Sequence, residues 1–231
     1  MAKFKLDGIN VEVPDDWTIL NAAKFYGIEI PTLCYMEGLT PWGGCRLCVV
    51  EIGEGASAKV QTSCTYPVQD GLVVKTSTPR IINARKVLIE LMIASVPTSK
   101  VIQDLASKYG VKKVRFKPDW ETCIYCGRCV RMCKEQMVAQ AIGYEGRGKN
   151  VKITTPFNVY SDVCRRCGGC IFVCPVCMLR CEGAKPEEVL CSRCYNALQP
   201  SCIEVYDHFT CWMGPTGNCG TCVEINKKEN K

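Results

Sequence analysis

Histidine is almost missing from this sequence: His208 is the only one in 231 residues. A catalytic triad or a zinc hydrolase would therefore start with one base at most. His208 stands between Asp207 and Phe209 and reads as a hydrogen-bonded structural residue, with metal ligation as the alternative. No Gly-x-Gly-x-x-Gly occurs, which disfavours a Rossmann-type nicotinamide site. No run approaches the roughly 18 apolar residues of a membrane span. The opening Met1-Ala2-Lys3-Phe4-Lys5 leads into no apolar leader, so the expectation is a soluble, cytoplasmic protein. Aromatic residues are scarce, at 8%. The hydrophobic share of 47% includes twenty cysteines, and without them roughly 38% remains, near the low end for a globular chain. Part of the folding free energy must then come from bound metal.

What the sequence has in excess is cysteine. That density marks either a secreted disulfide scaffold or a metal protein, and in the cytosol thiols stay reduced and open to metals. The formal charge of +6 raises nucleic acid as a partner. Four thiolates on a core of charge about +2 leave about −2 per centre, so three such centres would cancel the excess. The densest basic stretch, Lys112, Lys113, Arg115 and Lys117, is interrupted by Val114 and Phe116 and reads as a solvated linker or a contact to an acidic partner.

Along the chain, Lys3–Leu6 and Ile9–Val13 flank Asp7-Gly8 and predict a two-stranded hairpin. Thr18 or Asp16 can cap a short helix through Asn21–Phe25, which Gly27 ends. Residues 79–95 carry apolar side chains at Ile81, Ile82, Val87, Leu88, Leu91 and Met92, a helical recurrence stopped by Pro97. A second helical stretch runs from Lys100 to Tyr109, before Gly110. Gly143-x4-Gly148-Lys149-Asn150 is one residue short of a phosphate-binding loop, because Asn replaces the Ser or Thr, and is read as a turn.

Cys34, Cys45, Cys48 and Cys64 are spaced C-x10-C-x2-C-x15-C. Gly43 and Gly44 let backbone amides approach and hydrogen-bond to sulfur. The set suits a [2Fe-2S] centre, and zinc is the competing occupant. A hairpin, a helix and then a Cys-bearing loop is the order of a β-grasp ferredoxin domain. Cys123, Cys126, Cys129, Cys133 and then Cys164, Cys167, Cys170, Cys174 each run C-x2-C-x2-C-x3-C, and Pro175 completes the second signature. In two-cluster ferredoxins each fourth Cys serves the other cube. That assigns Cys123, Cys126, Cys129 and Cys174 to one [4Fe-4S] cluster, and Cys133, Cys164, Cys167 and Cys170 to the other. The insert from Lys134 to Val163 is expected to form a helix and a hairpin against this module.

Eight cysteines remain, Cys177, Cys181, Cys191, Cys194, Cys202, Cys211, Cys219 and Cys222. Two C-x2-C knuckles 24 residues apart fit a zinc ribbon, and eight thiols fit two further four-Cys centres. The reading is one or two further iron-sulfur clusters, or a structural zinc.

Several ordered motifs carry a resemblance: Pro31-Thr32-Leu33-Cys34, Gly44-Cys45-Arg46-Leu47-Cys48-Val49-Val50-Glu51, Thr62-Ser63-Cys64-Thr65, Ala84-Arg85 with its helix, and Cys123-x2-Cys126-Gly127-Arg128-Cys129. Over residues 1 to about 182 the chain resembles the iron-sulfur subunit of NADH dehydrogenases of the respiratory complex I type (the 75-kDa-like N-terminal region), and the diaphorase subunit of NAD-linked and electron-bifurcating hydrogenases. That family places a His and three Cys for a further [4Fe-4S] cluster after the helix. Here Val96 stands at the His position, Lys100 replaces the last Cys, and the stretch is expected to survive as packing. The chain ends after about fifty Cys-rich residues, without the catalytic domains that larger members continue into, so the resemblance implies a wire rather than a catalyst.

The fold class expected is α+β. It comprises a β-grasp [2Fe-2S] domain at 1–78, a helical connector at 79–118, a two-[4Fe-4S] module at 119–182 and a Cys-rich metal-binding tail at 183–231. The function expected is single-electron relay between a flavoprotein subunit that oxidises NAD(P)H and a second redox subunit, with soluble ferredoxin as a further partner. Neither flavin nor nucleotide would sit on this chain, and it would be non-catalytic. A free-standing multi-cluster carrier and a zinc-binding structural or regulatory protein are the alternatives; a thiol redox sensor would want fewer cysteines in ligand spacing.

Overall fold

The structure is a computed structural model that describes residues 1–97, 99–117, 123–159, 161–165 and 167–176. The chain divides into two compact units, Met1–Ala94 with Leu105–Lys117, and Ser95–Asp104 with Pro118–Lys231.

In the first unit, strands β1 (Ala2–Leu6) and β2 (Ile9–Val13) pair antiparallel with Leu6 opposite Ile9. The turn between them puts Asp7 and Gly8 at φ 48° and 86°, the left-handed conformation that an Asp-Gly pair tolerates. Alternation along the strands buries Ala2, Phe4, Leu6, Val11 and Val13 on one face. Helix α1 (Ile19–Phe25) starts at Thr18, whose hydroxyl accepts from the Asn21 N–H at 3.3 Å, so Thr18 and not Asp16 is the cap. Gly27, at φ 73°, follows its end.

Strands β3 (Val49–Ile52), β4 (Lys59–Thr62) and β5 (Val73–Lys75) complete a five-stranded sheet in the order β2-β1-β5-β3-β4. Only the β1–β5 pair is parallel. Asp7 secures it from the hairpin turn, accepting from the Thr76 N–H at 2.7 Å and from its hydroxyl at 2.5 Å. The inner face of α1 (Ile19, Leu20, Ala22, Ala23) packs with Phe4, Leu6, Val50 and Val74 in one core, which also takes in Cys48 and Cys64. Each large aliphatic side chain buried there contributes about 1.5–3 kcal/mol. Two of the four candidate ligands, Cys48 and Cys64, thus belong to the core of the unit.

Helix α2 (Pro79–Ser95) forms where the apolar recurrence predicts it, but presents a different face. Its buried residues are Ile81, Arg85, Ile89, Met92, Ile93 and Ala94, while Val87 and Leu91 are 38% and 43% exposed. The buried stripe runs i, i+4, i+8 through an arginine, which an apolar count passes over. Helix α3 (Lys100–Tyr109) ends at Gly110, φ 65°, with the Val111 N–H returning to the Ala106 carbonyl at 2.8 Å. Between the two helices Val96 and Ser99 are buried, at 1% and 0% exposure.

Among its described residues from 123 on, the second unit has two short α-helices, α4 (Arg128–Arg131) and α5 (Gly169–Phe172), and a hairpin of β6 (Gly143–Glu145) and β7 (Lys152–Thr154). The insert therefore yields its hairpin. Its helical part is a wide turn, Met132–Gln136, that continues α4, with short 3-10 turns at Gly148–Asn150 and Pro156–Asn158, rather than a separate α-helix. Gly146 and Gly148, at φ 81° and 55°, lie in the hairpin connection, so the near-phosphate-loop motif is a turn between strands. Among the described residues no helix is long and apolar enough to cross a membrane. The eight tail cysteines and His208 lie outside the described residues.

Candidate metal centres

The first centre is built from the stretch leading to β3 and from the residues after β4. Cys34, Cys45, Cys48 and Cys64 are 1%, 4%, 1% and 0% exposed, and all twelve described cysteines are thiols rather than half-cystines. The Sγ atoms of Cys48 and Cys64 lie 3.4 Å apart, and the Cys34 N–H donates to Cys45 Sγ at 3.4 Å. Hydrogen bonds from Cys45 and Cys64 hold the Cys34 thiol well below its ordinary range. Cys48 is lowered to about 6, chiefly by Cys64. Cys45 and Cys64 are pushed up, above all by their bonds to Cys34. Four buried sulfurs so close cannot all ionise without a cationic core between them.

Backbone amides surround these sulfurs. The Gly44, Leu47 and Cys64 amides favour the thiolates of Cys34, Cys45 and Cys48 respectively, and the Ser63 hydroxyl likewise favours that of Cys48. The loop adopts this shape because Gly43 and Arg46 take positive φ, 66° and 59°. A Cβ on Gly44 would overlap the Trp42 indole. N–H···S bonds of this kind stabilise a thiolate-bound cluster. The carbonyls are fixed as firmly: Cys48 O accepts from the Ser63 N–H at 3.1 Å and its hydroxyl at 2.8 Å. Arg85, 3% exposed, donates from Nε to Leu47 O at 3.0 Å and from Nη2 to Val49 O at 2.8 Å. Neither Ser63 nor Arg85 is a ligand type, but both stand in the motifs that carry the resemblance, Thr62–Thr65 and Ala84-Arg85.

In the second unit the two cysteine runs are locally alike. Gly127 and Gly168, at φ 68° and 69°, each follow a cysteine (Cys126, Cys167) and precede a short helix that carries the next (Cys129, Cys170). The Tyr125 N–H, from a residue at φ 51°, donates to Cys123 Sγ at 3.3 Å. The Ala141 N–H donates to Cys133 Sγ at 3.2 Å, from a loop with Val138 and Gln140 at φ 50° and 52°. Non-glycine residues in that region are strained, and they cluster beside these sulfurs.

The structure brings the two runs together. Burial pushes the Cys126 thiol up to about 12, and the charges of Cys174 and Cys123 add to it, so Cys174 stands within electrostatic reach of the earlier run. Gly169 lies against Met132, Met137 and the Cys167 sulfur. Tyr144, on the hairpin, donates to Tyr125 O at 3.2 Å, and burial with the negative field of Cys129, Cys126 and Cys123 raises its phenol. Arg131, 7% exposed, donates to Cys126 O at 3.4 Å. Among the described residues no group of three or more His, Cys, Asp or Glu side chains is drawn together as one metal ion would require.

Twelve thiols in two spaced groups, with backbone amides donating to sulfur in each, define an iron-sulfur protein. Comparison with known proteins agrees. Residues 1–79 match the 2Fe-2S iron-sulfur cluster binding domain, and residues 116–137 match the 4Fe-4S binding domain. An NADH-quinone oxidoreductase subunit of Rhizobium meliloti is 35% identical over 203 residues, covering 76% of this chain and 23% of the relative. The NADP-reducing hydrogenase subunit HndD of Solidesulfovibrio fructosivorans is 33% identical over 207 residues, covering 76% of this chain and 35% of its own length. The NADH-ubiquinone oxidoreductase 75 kDa subunit of Reclinomonas americana is 34% identical over 202 residues, covering 76% and 29%. A solved chain of NAD+-reducing [NiFe]-hydrogenase in the H2-reduced state superposes with a TM-score of 0.60 at 28% identity, covering 67% of this chain and 74% of that one. These are subunits of the two enzyme types that the sequence motifs resemble. The chain spans between about a quarter and a third of the length of those curated relatives.

Proposed function

We propose that this chain is an electron-transfer iron-sulfur subunit of a flavin- and NAD(P)(H)-linked oxidoreductase complex, relaying single electrons between a flavoprotein partner and a second redox partner. The observation that carries the reading is the fully buried Cys34, Cys45, Cys48, Cys64 set, wrapped in peptide N–H groups. In this reading residues 1–78 form a β-grasp domain around a [2Fe-2S] cluster, with Cys34 and Cys45 on one iron and Cys48 and Cys64 on the other. The approach of the Cys48 and Cys64 sulfurs and the Cys34 N–H on Cys45 Sγ support that division.

Residues 79–118 serve as the connector, and 119–182 hold two [4Fe-4S] clusters. Cys123, Cys126, Cys129 and Cys174 ligate one, and Cys133, Cys164, Cys167 and Cys170 the other. The field of Cys174 at Cys126 supports the exchange of the fourth ligands. Bound clusters supply one-electron redox chemistry; the chain's own residues supply burial, amide donors and the positive groups Arg85 and Arg131. The tail from 183 on would hold further clusters or zinc, and the complex would work in the cytoplasm.

Anaerobic purification of the intact complex tests this, with mass spectrometry of copurifying subunits, metal analysis and electron paramagnetic resonance. The reading requires a flavoprotein partner, iron at or above about ten per chain, and reducible [2Fe-2S] and [4Fe-4S] signals. Zinc without a reducible signal overturns it, and a lone monomer favours the free-standing carrier. Iron near ten with one zinc would leave the tail a structural zinc site.

A further inference from the structure

Arg85 occupies the core-facing stripe of α2, between Ile81 and Ile89, both at 0% exposure. An apolar residue there would avoid burying a guanidinium, which costs several kcal/mol when its hydrogen bonds are not met. All three nitrogens are engaged: Nε with Leu47 O, Nη2 with Val49 O, and Nη1 with the Tyr109 hydroxyl at 3.4 Å. Two of the three acceptors flank Cys48. On its other side Leu47 turns its N–H toward the ligand set, where it favours the Cys45 thiolate. Peptide planarity carries the constraint further, because fixing Leu47 C=O also fixes the opposite direction of the Cys48 N–H.

We infer that Arg85 is a positioning residue for the first centre: by gripping the carbonyls on both sides of Cys48 it fixes the Cys48 peptide and sets a buried positive charge beside the ligand loop, and so sets the reduction potential of the [2Fe-2S] cluster. Reduction adds negative charge to the cluster, and amide donors and a buried cation both stabilise that added charge. A loosened loop loses donor strength and disfavours the reduced form. Lysine cannot replace the fork, since one ammonium does not serve two carbonyls in fixed geometry. Arg80, earlier on α2 and 61% exposed at its side chain, bonds Glu51 and Ala58 O and removes the same charge when mutated, so it is the control.

The inference rests on the [2Fe-2S] reading of the four cysteines. The experiment is a redox titration of the full-length chain, followed by electron paramagnetic resonance, for wild type, Arg85→Leu, Arg85→Lys and Arg80→Leu, with melting temperatures alongside. At a fixed potential Arg85→Leu is expected to lower the reduced-to-oxidised ratio of the [2Fe-2S] signal about tenfold, or ~59 mV for one electron. Arg85→Lys should shift it in the same direction by less, and Arg80→Leu not at all. If Arg85→Leu fails to accumulate, Arg85→Lys decides the matter. A lower melting temperature with unchanged midpoint and signal shape in the Arg85 variants overturns the inference and leaves a purely structural arginine. A wild-type chain with no [2Fe-2S] signal overturns the underlying reading instead.

Discussion

Replacing Ser63 by alanine isolates one hydroxyl at the heart of the first centre. Ser63 is fully buried, and its Oγ donates to Cys48 O at 2.8 Å. The same carbonyl keeps the Ser63 N–H at 3.1 Å, so the substitution orphans no acceptor. The loss is then that of one neutral hydrogen bond, about 1 kcal/mol, without the added penalty of an unsatisfied buried group. For a unit of this size that corresponds to a fall of roughly 4 °C or more in melting temperature. The cluster should still assemble, with a lower potential because the carbonyl of the ligand Cys48 is held less firmly and a dipole beside its thiolate is gone. Thermal unfolding of the anaerobic holo-chain, followed by visible circular dichroism, reads the first quantity and a redox titration the second. No change in either would refute the assignment of the hydroxyl to the ligand. Failure to bind any cluster would show that about 1 kcal/mol understates its part.

Exchange of the fourth ligands predicts that Cys174→Ala perturbs the cluster held by Cys123, Cys126 and Cys129 and leaves the other four-cysteine set with its full complement; two separable [4Fe-4S] signals distinguish this, and loss confined to the cluster of Cys164, Cys167 and Cys170 would contradict it. Gly44→Ala places a methyl where the Trp42 indole packs. The half-exposed indole should swing out, giving a tryptophan emission shift and a modest loss of stability, and unchanged emission would argue against that packing. The Arg115 guanidinium, 2.8 and 3.4 Å from the Glu90 carboxylate, holds that carboxyl below its usual range. A depressed carboxyl contributes stability above its unfolded pKa that disappears as pH falls through the folded one, so protection of the 105–117 segment from hydrogen exchange should weaken at acid pH, and Glu90→Gln should remove that dependence.

The local grammar of this chain is plain to read. The Asp7-Gly8 turn, the Thr18 cap, the Pro97 stop and the cysteine spacing are each set by a few adjacent residues with stringent backbone or ligand demands. The pairings that build the sheet are not, because Lys5 meets Val73 across most of the unit and nothing near either residue encodes the partner. Arg85 misleads the apolar count on α2 for a physical reason: its worth lies in carbonyls 38 and 36 residues away. Tyr144 is equally silent, since its link to Tyr125 crosses the insert.

The long closure between β1 and β5 also orders events during synthesis. Ribosomes add about 5–20 residues per second. Cys34, Cys45, Cys48 and Cys64 all leave the ribosome before Val73–Lys75, the strand that β1 needs, and Arg85 comes later still. The nascent chain thus presents its four thiols together before the sheet can seal over them, and the arginine that locks the loop arrives last. On the [2Fe-2S] reading, that interval lets iron and sulfide reach the thiols without the domain having to be pried open.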